Sequence, residues 1–303
     1  MIRFLRRRQI NDERWNGVVA SSRFETIYPY TWYLDACSDN WAGYVMNDFE
    51  CVMPVAFRRK IGLKYTYQPV YCQQLGVYSE HRVDTEVSRM FLHELRRNFK
   101  MGDYALNEGN ILGDEKGFEV SDNTNYILSL AAPYDEIHKN YTENCRRNVK
   151  RAHRSGIEFT DQVSIDEVIA LKQMSGQSRL GDEHYAYAKS LFSRLATRDK
   201  IRIYGARYGD HLVAAAIFAF SNDRAIFLLS ASSEHGKEWR AMFLVVDRFI
   251  EMHAEKLGKL DFEGSNIVSI ARFFRGFGAK PEIYQRLRFQ GAANVIINKI
   301  KGV

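Results

Sequence analysis

Near the C-terminal end of the 303-residue chain, two carboxylates stand two positions apart in Leu260-Asp261-Phe262-Glu263-Gly264-Ser265-Asn266. On an extended strand that spacing puts Asp261 and Glu263 on one face. A carboxylate placed there accepts a proton from an attacking amine or holds that amine in position. Gly264 permits a sharp turn, and Ser265 or Asn266 suits the cap of a following helix. The next stretch carries Arg272-Phe273-Phe274-Arg275 and stops at Gly276-Phe277-Gly278-Ala279. Its Arg275 guanidinium, beside Phe274, suits a developing oxyanion or a phosphate. An acid pair at a strand end beside a cationic helix points to an enzyme. The plainer reading has Asp261 bonding loop amides, Glu263 in solvent, and an amphipathic helix ending at Gly278.

A second charged segment, Tyr141–Ser155, reads as a helix with Arg146, Arg147, Lys150, Arg151 and Arg154. Cys145, Val149 and Ala152 form its apolar stripe, and Arg146, Lys150 and Arg154 a cationic row at helical spacing. Gly156 is placed to end it. Such a row suits the phosphates of RNA or of a nucleotide-linked substrate. The alternative is a solvated helix whose basic end complements its dipole.

Near the N-terminus, Tyr28-Pro29-Tyr30-Thr31-Trp32-Tyr33 is a dense aromatic cluster. Tyr30 and Trp32 suit a substrate cleft, although core packing accounts for such clusters more often. Gln73 and Gln74 interrupt an apolar stretch, and buried amides need partners, so they mark a candidate cleft wall.

The elements that must position these groups repeat. Strands are expected at 51–57, 64–68, 71–78 and 104–108, with a turn at Ile61-Gly62. A helix is expected at 84–99, with Val87, Met90, Phe91 and Leu95 on one face. In the second half, strands at 201–208 and 211–220 flank a Gly209-Asp210 hairpin turn. Strands at 225–230 and 260–263 bracket an apolar helix at 240–257. The turn Glu108-Gly109-Asn110 resembles Glu263-Gly264-Ser265-Asn266, each after a helix and a strand. This predicts two copies of a mixed β-sheet unit with helices, dividing near residues 125–135.

Composition agrees with a globular chain: 46% apolar, 26% charged, 13% aromatic, with 17 Tyr and a formal charge of +6. The excess of cations favours an anionic partner. The four cysteines, Cys37, Cys51, Cys72 and Cys145, have neither zinc spacing nor a C-x-x-C pair, and read as buried thiols of a cytoplasmic protein. The eight His are scattered, so no metal site is expected. No stretch approaches the roughly 20 apolar residues of a membrane span. The basic start, Met1-Ile2-Arg3-Phe4-Leu5-Arg6, has no apolar run behind it and is not a secretory signal. Walker, G-x-G-x-x-G, H-E-x-x-H and G-x-S-x-G motifs are missing.

The Leu260–Ser265 run, the Phe273–Ala279 block and Tyr284 resemble the C-terminal domain of FemAB-like transferases, tandem relatives of the GNAT acetyltransferases. The Asn144–Ala152 helix followed by Ser155-Gly156-Ile157 is similar to the basic helix opening that domain. Tyr30–Asp35, Val52-Met53-Pro54 and the stretch from Gln68-Pro69 to Gln73-Gln74-Leu75-Gly76 resemble Bacteroidetes-type members. The resemblance implies an α/β fold with two tandem GNAT-like domains, each a mixed sheet flanked by helices. Set at the repeat boundary, they span 1–130 and 131–303.

It also implies an N-acyltransferase that moves an acyl or aminoacyl group to an amine, with aminoacyl-tRNA or acyl-CoA as donor substrate. A tRNA, or a nucleotide-linked or amine-bearing small molecule, is the implied partner. Phe274-Arg275 matches a Phe-Lys pair of the family. Trp32 is followed by Tyr33-Leu34-Asp35-Ala36 without the family's cation, which argues against a UDP-linked precursor. The segment Glu234–Trp239 has one glycine where an acetyl-CoA loop has two. The competing readings are an acyl-CoA-dependent N-acetyltransferase and a degenerate, non-catalytic binding member. Acceptor and oligomeric state stay open.

Overall fold

The computed structural model describes residues 1–60, 62–175, 181–264 and 266–290, so Ile61 and Ser265 lie outside the described residues. The chain divides into two compact units, Met1–Asn123 with the segment from Ile283 onward, and Thr124–Glu282.

The first unit opens with β1 (Ile2–Arg6), α1 (Asp12–Ser21) and α2 (Thr31–Cys37). Asn11 starts α1 by accepting from the Arg14 amide at 3.0 Å, which satisfies an orphan N–H of the first turn. Three strands follow, β2 (Trp41–Met46), β3 (Cys51–Lys60) and β4 (Leu63–Thr66), in an antiparallel order β1-β2-β3-β4. The helix α3 (Thr85–Asn98) then crosses to β5 (Met101–Ala105), which runs parallel to β4. Asp84 caps α3, accepting from the Val87 amide at 2.8 Å.

The buried face of α3 is Ser88, Phe91, Leu92 and Leu95. Met90, expected on that face, is 43% exposed. The strand expected at 71–78 does not form either; only a Val52–Tyr78 bridge is present there. Positive φ at Tyr71 and Gly76 breaks the extended run, and side chains take up its backbone groups instead. Asn110 accepts from the Val77 amide, while Asn107 and Asn110 both donate to the Val77 carbonyl. The strand expected at 104–108 runs earlier, because Leu106–Asn110 turns away to make these bonds.

The second unit takes β6 (Glu119–Ser129) from Thr124, then α4 (Tyr134–Lys139), α5 (Glu143–Arg154), β7 (Glu158–Thr160), α6 (Ile165–Met174) and α7 (Asp182–Ala196). The strands β8 (Ile201–Tyr208), β9 (His211–Phe220) and β10 (Arg224–Ser232) form an antiparallel meander on β7. As the sequence predicts, Tyr208 pairs His211 across a two-residue turn with Gly209 at φ +54°. Then α8 (Glu234–Glu238) and α9 (Ala241–His253) cross to β11 (Lys259–Asp261), parallel to β10, and β6 pairs antiparallel with β11. The helix α10 (Val268–Gly276) leads to β12 (Lys280–Gln290). From Ile283 that strand belongs to the first unit, where Arg286–Gln290 pair antiparallel with Met101–Ala105.

Each unit therefore has one topology: an antiparallel run of strands, a helical crossover, a parallel fifth strand and an antiparallel sixth. The sixth strands are exchanged in chain order, since β6 follows the first unit and β12 follows the second. The core of the second unit lies between its sheet and the helices α5, α9 and α10. There Phe218 stacks on Phe249 with centroids 3.9 Å apart. All four cysteines are buried thiols outside any disulfide.

The start of α6 offers a test of local electrostatics. Ser164 and Glu167 form a capping box, and Arg207 pairs with the Glu167 carboxylate. The Ser164 amide and the Arg207 guanidinium hold that carboxyl down at about 2. A depressed folded value gives stability that is present above the unfolded value of about 4.3 and is lost as pH falls toward 2. The site is partly exposed, so the effect is screened to under about 1 kcal/mol. The melting temperature of Glu167→Gln is expected to lie below wild type at pH 6 and to converge on it only as pH falls to about 2.

Candidate active site

The parallel pair β10–β11 is short, joining only Arg224–Ile226 to Lys259–Asp261. A bulge between Phe227 and Leu229 bends β10 at the point where pairing stops. Past it, the strand's free edge and the start of α10 bound a cleft of about 640 Å³. Cations line it from three elements: Lys172 of α6, Lys237 of α8 and Arg240 just before α9. Hydroxyls come from Ser230, Ser232 and Ser269, and apolar surface from Phe227, Phe243, Phe273 and Phe274. Among the described residues, no carboxylate lines it.

The crossover helix opens onto this cleft. Arg240 adopts a left-handed conformation, φ +64°, and no side chain caps α9. The first turn of that helix thus presents amides with a positive end beside Lys237 and Arg240. Gly236 is held within α8 because a Cβ there would approach the Val213 carbonyl oxygen to 2.0 Å. Lys172 is half-buried, and its Nζ donates to the Ser230 carbonyl at 2.9 Å on the free edge of β10. Burial pushes its pKa down.

Of the residues singled out in the sequence, the structure brings Phe274 to this cleft. Asp261 does not line it. It is 1% exposed and accepts from Arg224 Nη1 at 3.1 Å, an ion pair inside the sheet. Its other oxygen accepts from the Glu263 amide at 2.8 Å. The strand ends at Asp261, and Glu263 turns left-handed at φ +58°, so the two acids do not share a strand face. Gly264, at φ +68°, makes the turn, with a Cβ there 2.0 Å from the Thr124 carbonyl oxygen. Asn266 accepts weakly from the Thr124 amide at 3.4 Å, and Ile267 rather than Asn266 is the cap position of α10.

Arg275 is exposed and lies outside the cleft lining. It stands where α10 meets α5, next to the Gly276 carbonyl that accepts from the Thr142 amide at 2.9 Å. The helix α5 forms as expected, with Cys145, Val149 and Ala152 buried and Arg146, Arg147, Lys150, Arg151 and Arg154 exposed. Among the described residues, Arg147 is the one of these five that meets an acid, Glu143 at 3.7 Å. Burial and the nearby Asp247 carboxylate push the Cys145 thiol up to about 12, which leaves it no nucleophile.

In the first unit, Tyr30 is buried and stacks at 5.3 Å on Trp32, which is half-buried. Gln74 is fully buried, with its Nε2 donating to Gln73 and its Oε1 accepting from the Glu108 amide at 3.2 Å. These amides hold the Glu108 turn and line no described cleft. A second cleft, about 710 Å³, lies by the segment after α1, the start of α3 and the turn after β5. It mixes Arg23, His81 and Arg82 with Glu80, Asp84 and Glu108.

Lys172, Lys237 and Arg240 escaped the sequence reading. One signal was available: Ile165, Val168, Ile169 and Lys172 share a helical stripe, so a lysine sits on an apolar face. Among the described residues there is no group of three or more His, Cys, Asp or Glu that could hold a metal ion. No described helix is long and apolar enough to cross a membrane.

Residues 139–267 match the acetyltransferase (GNAT) domain family. No curated protein matches the chain. Among solved structures, FemX is similar at 9% identity and a TM-score of 0.69, over 96% of this chain and 98% of that one. The C-terminal domain of a putative lysylphosphatidylglycerol synthetase from Agrobacterium fabrum is similar at 10% identity and TM-score 0.56, over 95% and 93%. A tandem GNAT protein from the clavulanic acid biosynthesis pathway is similar at 12% identity and TM-score 0.55, over 95% and 98%. At these identities the likeness is one of fold.

Proposed function

We propose that the chain, whose two units share the fold of tandem GNAT proteins, is a FemAB-like N-acyltransferase of the GNAT superfamily. It moves an acyl or aminoacyl group from a phosphate-bearing donor to an amine, in the cleft of the second unit. The observation that carries this reading is the lining of that cleft. Three cations and an uncapped helix start favour an anion, and four phenylalanines favour the apolar part of the same ligand. The donor's phosphate meets Lys237, Arg240 and the first turn of α9. Its acyl carbon lies toward the free edge of β10 and Phe274.

The cationic face of α5, extended by Arg275, favours a donor carried on a long polyanion, an aminoacyl-tRNA. One fold neighbour is named for lysylphosphatidylglycerol synthesis, which agrees with aminoacyl transfer. Acyl-CoA is the second reading, favoured by the phosphate cradle at α9 alone. The test is transfer of label from a charged-tRNA pool and from acetyl-CoA to a low-molecular-weight amine extract. Label arriving from neither donor overturns the reading.

The cradle has its own expected result. Arg240→Ala should weaken donor binding about 10–100-fold, the loss of one charge-assisted contact worth about 1.5–3 kcal/mol. Calorimetry against the active donor measures it. Unchanged affinity would remove Arg240 from the phosphate site.

A further inference from the structure

We propose that Lys172 is the proton acceptor for the attacking amine. The proposal rests on the transferase reading above and adds to it the residue that makes the amine nucleophilic. The geometry is specific. Lys172 is on the apolar stripe of α6, reaches into the cleft and touches the part of β10 beyond its short pairing with β11. Its hydrogen bond goes to a backbone carbonyl, Ser230 O at 2.9 Å. A carbonyl is a weaker partner for an ammonium than a carboxylate, so this contact orients the amine without locking its charge.

The charged groups around it agree. Facing it across the cleft are Lys237 from α8, whose charge is paired with Glu234 of the same helix, and Arg240 before α9, and from β10 and α10 only serines and apolar groups. On its own helix, Asp166 is taken by Lys189 of α7 and Glu167 by Arg207 of β8. Burial favours the neutral amine. No carboxylate among the described lining residues competes for the role.

The step balances without a co-reactant. The acceptor nitrogen's lone pair forms the new N–C bond at the donor carbonyl carbon. The tetrahedral adduct collapses, the donor's ester C–O or thioester C–S bond breaks, and its electron pair leaves with oxygen or sulfur. The proton shed by the attacking nitrogen passes to neutral Nζ and then to the leaving atom. The resulting ammonium keeps its bond to Ser230 meanwhile.

Two variants and two readouts test this. Lys172→Met keeps the length and apolar stem, and Lys172→Arg keeps the charge but cannot lose a proton. Both should lose about 10²–10⁴-fold in kcat, with KM for the donor changed only a few-fold. Wild-type kcat should rise with pH and level at a value below the ordinary lysine value of about 10.4, and Lys172→Met should lose that ionisation. Wild-type turnover in either variant, or an unchanged pH profile in Lys172→Met, overturns the proposal while leaving the transferase reading intact.

The second readout needs no turnover. Reductive methylation of the whole protein with labelled formaldehyde gives each lysine an NMR signal, assigned for Lys172 by its loss in Lys172→Met. A titration midpoint clearly below those of the surface lysines is expected. A midpoint among them overturns the proposal even if neither donor is used, the outcome that would overturn the transferase reading instead.

Discussion

Replacing Arg224 with Met is expected to lower the unfolding free energy by about 3–5 kcal/mol, the cost of stranding one partner of a buried ion pair. Arg224 and Asp261 are each 1% exposed, so the remaining carboxylate has no water to turn to. The pair joins the first residue of β10 to the last residue of β11, where the parallel pairing is only three residues deep. Removing both charges, as Arg224→Met with Asp261→Leu, should recover much of the loss, because two apolar side chains leave no charge behind. Urea unfolding of the single and double variants measures both terms. A single variant within about 1 kcal/mol of wild type would mean that the pair is not electrostatically coupled. Asp261 also accepts from the Glu263 amide, so the variant should loosen the turn that leads to α10 and the cleft wall.

Alanine at Arg146, Lys150 and Arg154 together should cut RNA affinity on the order of 10³-fold at 50 mM salt. Each lost phosphate contact removes about 0.9 from the slope of log affinity against log salt, so three contacts remove about 2.7. The fold should survive, since all three side chains are exposed and the buried stripe of α5 is untouched. Arg275→Ala should add to the loss in binding rather than act on the chemical step, because that side chain is exposed beside the start of α5. The measurement is fluorescence-anisotropy titration of tRNA across a salt series. Wild-type protein without salt-dependent binding at low ionic strength would remove the aminoacyl-tRNA donor and leave acyl-CoA as the reading.

Local chemistry was legible where a residue's own covalent structure decides the outcome. The basic helix α5, its Cys145–Val149–Ala152 stripe and the left-handed Gly156 follow from helical spacing and from glycine's freedom at positive φ. The Gly209-Asp210 hairpin and the Gly264 turn follow from the same physics. The repeat was legible too, because two similar Glu-Gly turns each end a helix and strand of like order. The ordering of antiparallel strands, crossover and parallel strand in both units agrees with it.

The site itself was decided by tertiary structure. Asp261 reads as a strand-end acid, and nothing local reveals that Arg224, 37 positions away, folds against it and takes its charge into the core. Arg275 reads as cleft-facing by its neighbours, yet the helical phase that buries Phe274 turns the next side chain out to solvent. Gln73 and Gln74 look anomalous in sequence because their partners, the Glu108 turn among them, come from far along the chain. The exchange of β12 into the first unit depends on strand pairing across the chain, which a local pattern does not encode. Sequence by itself determined which segments are helical, basic or turning, since those properties are local. Which charges face one another across a cleft depends on where β10 parts from β11. That parting is a property of the packed sheet, and beside it lies the cleft that Lys172, Lys237 and Arg240 line from three separate elements.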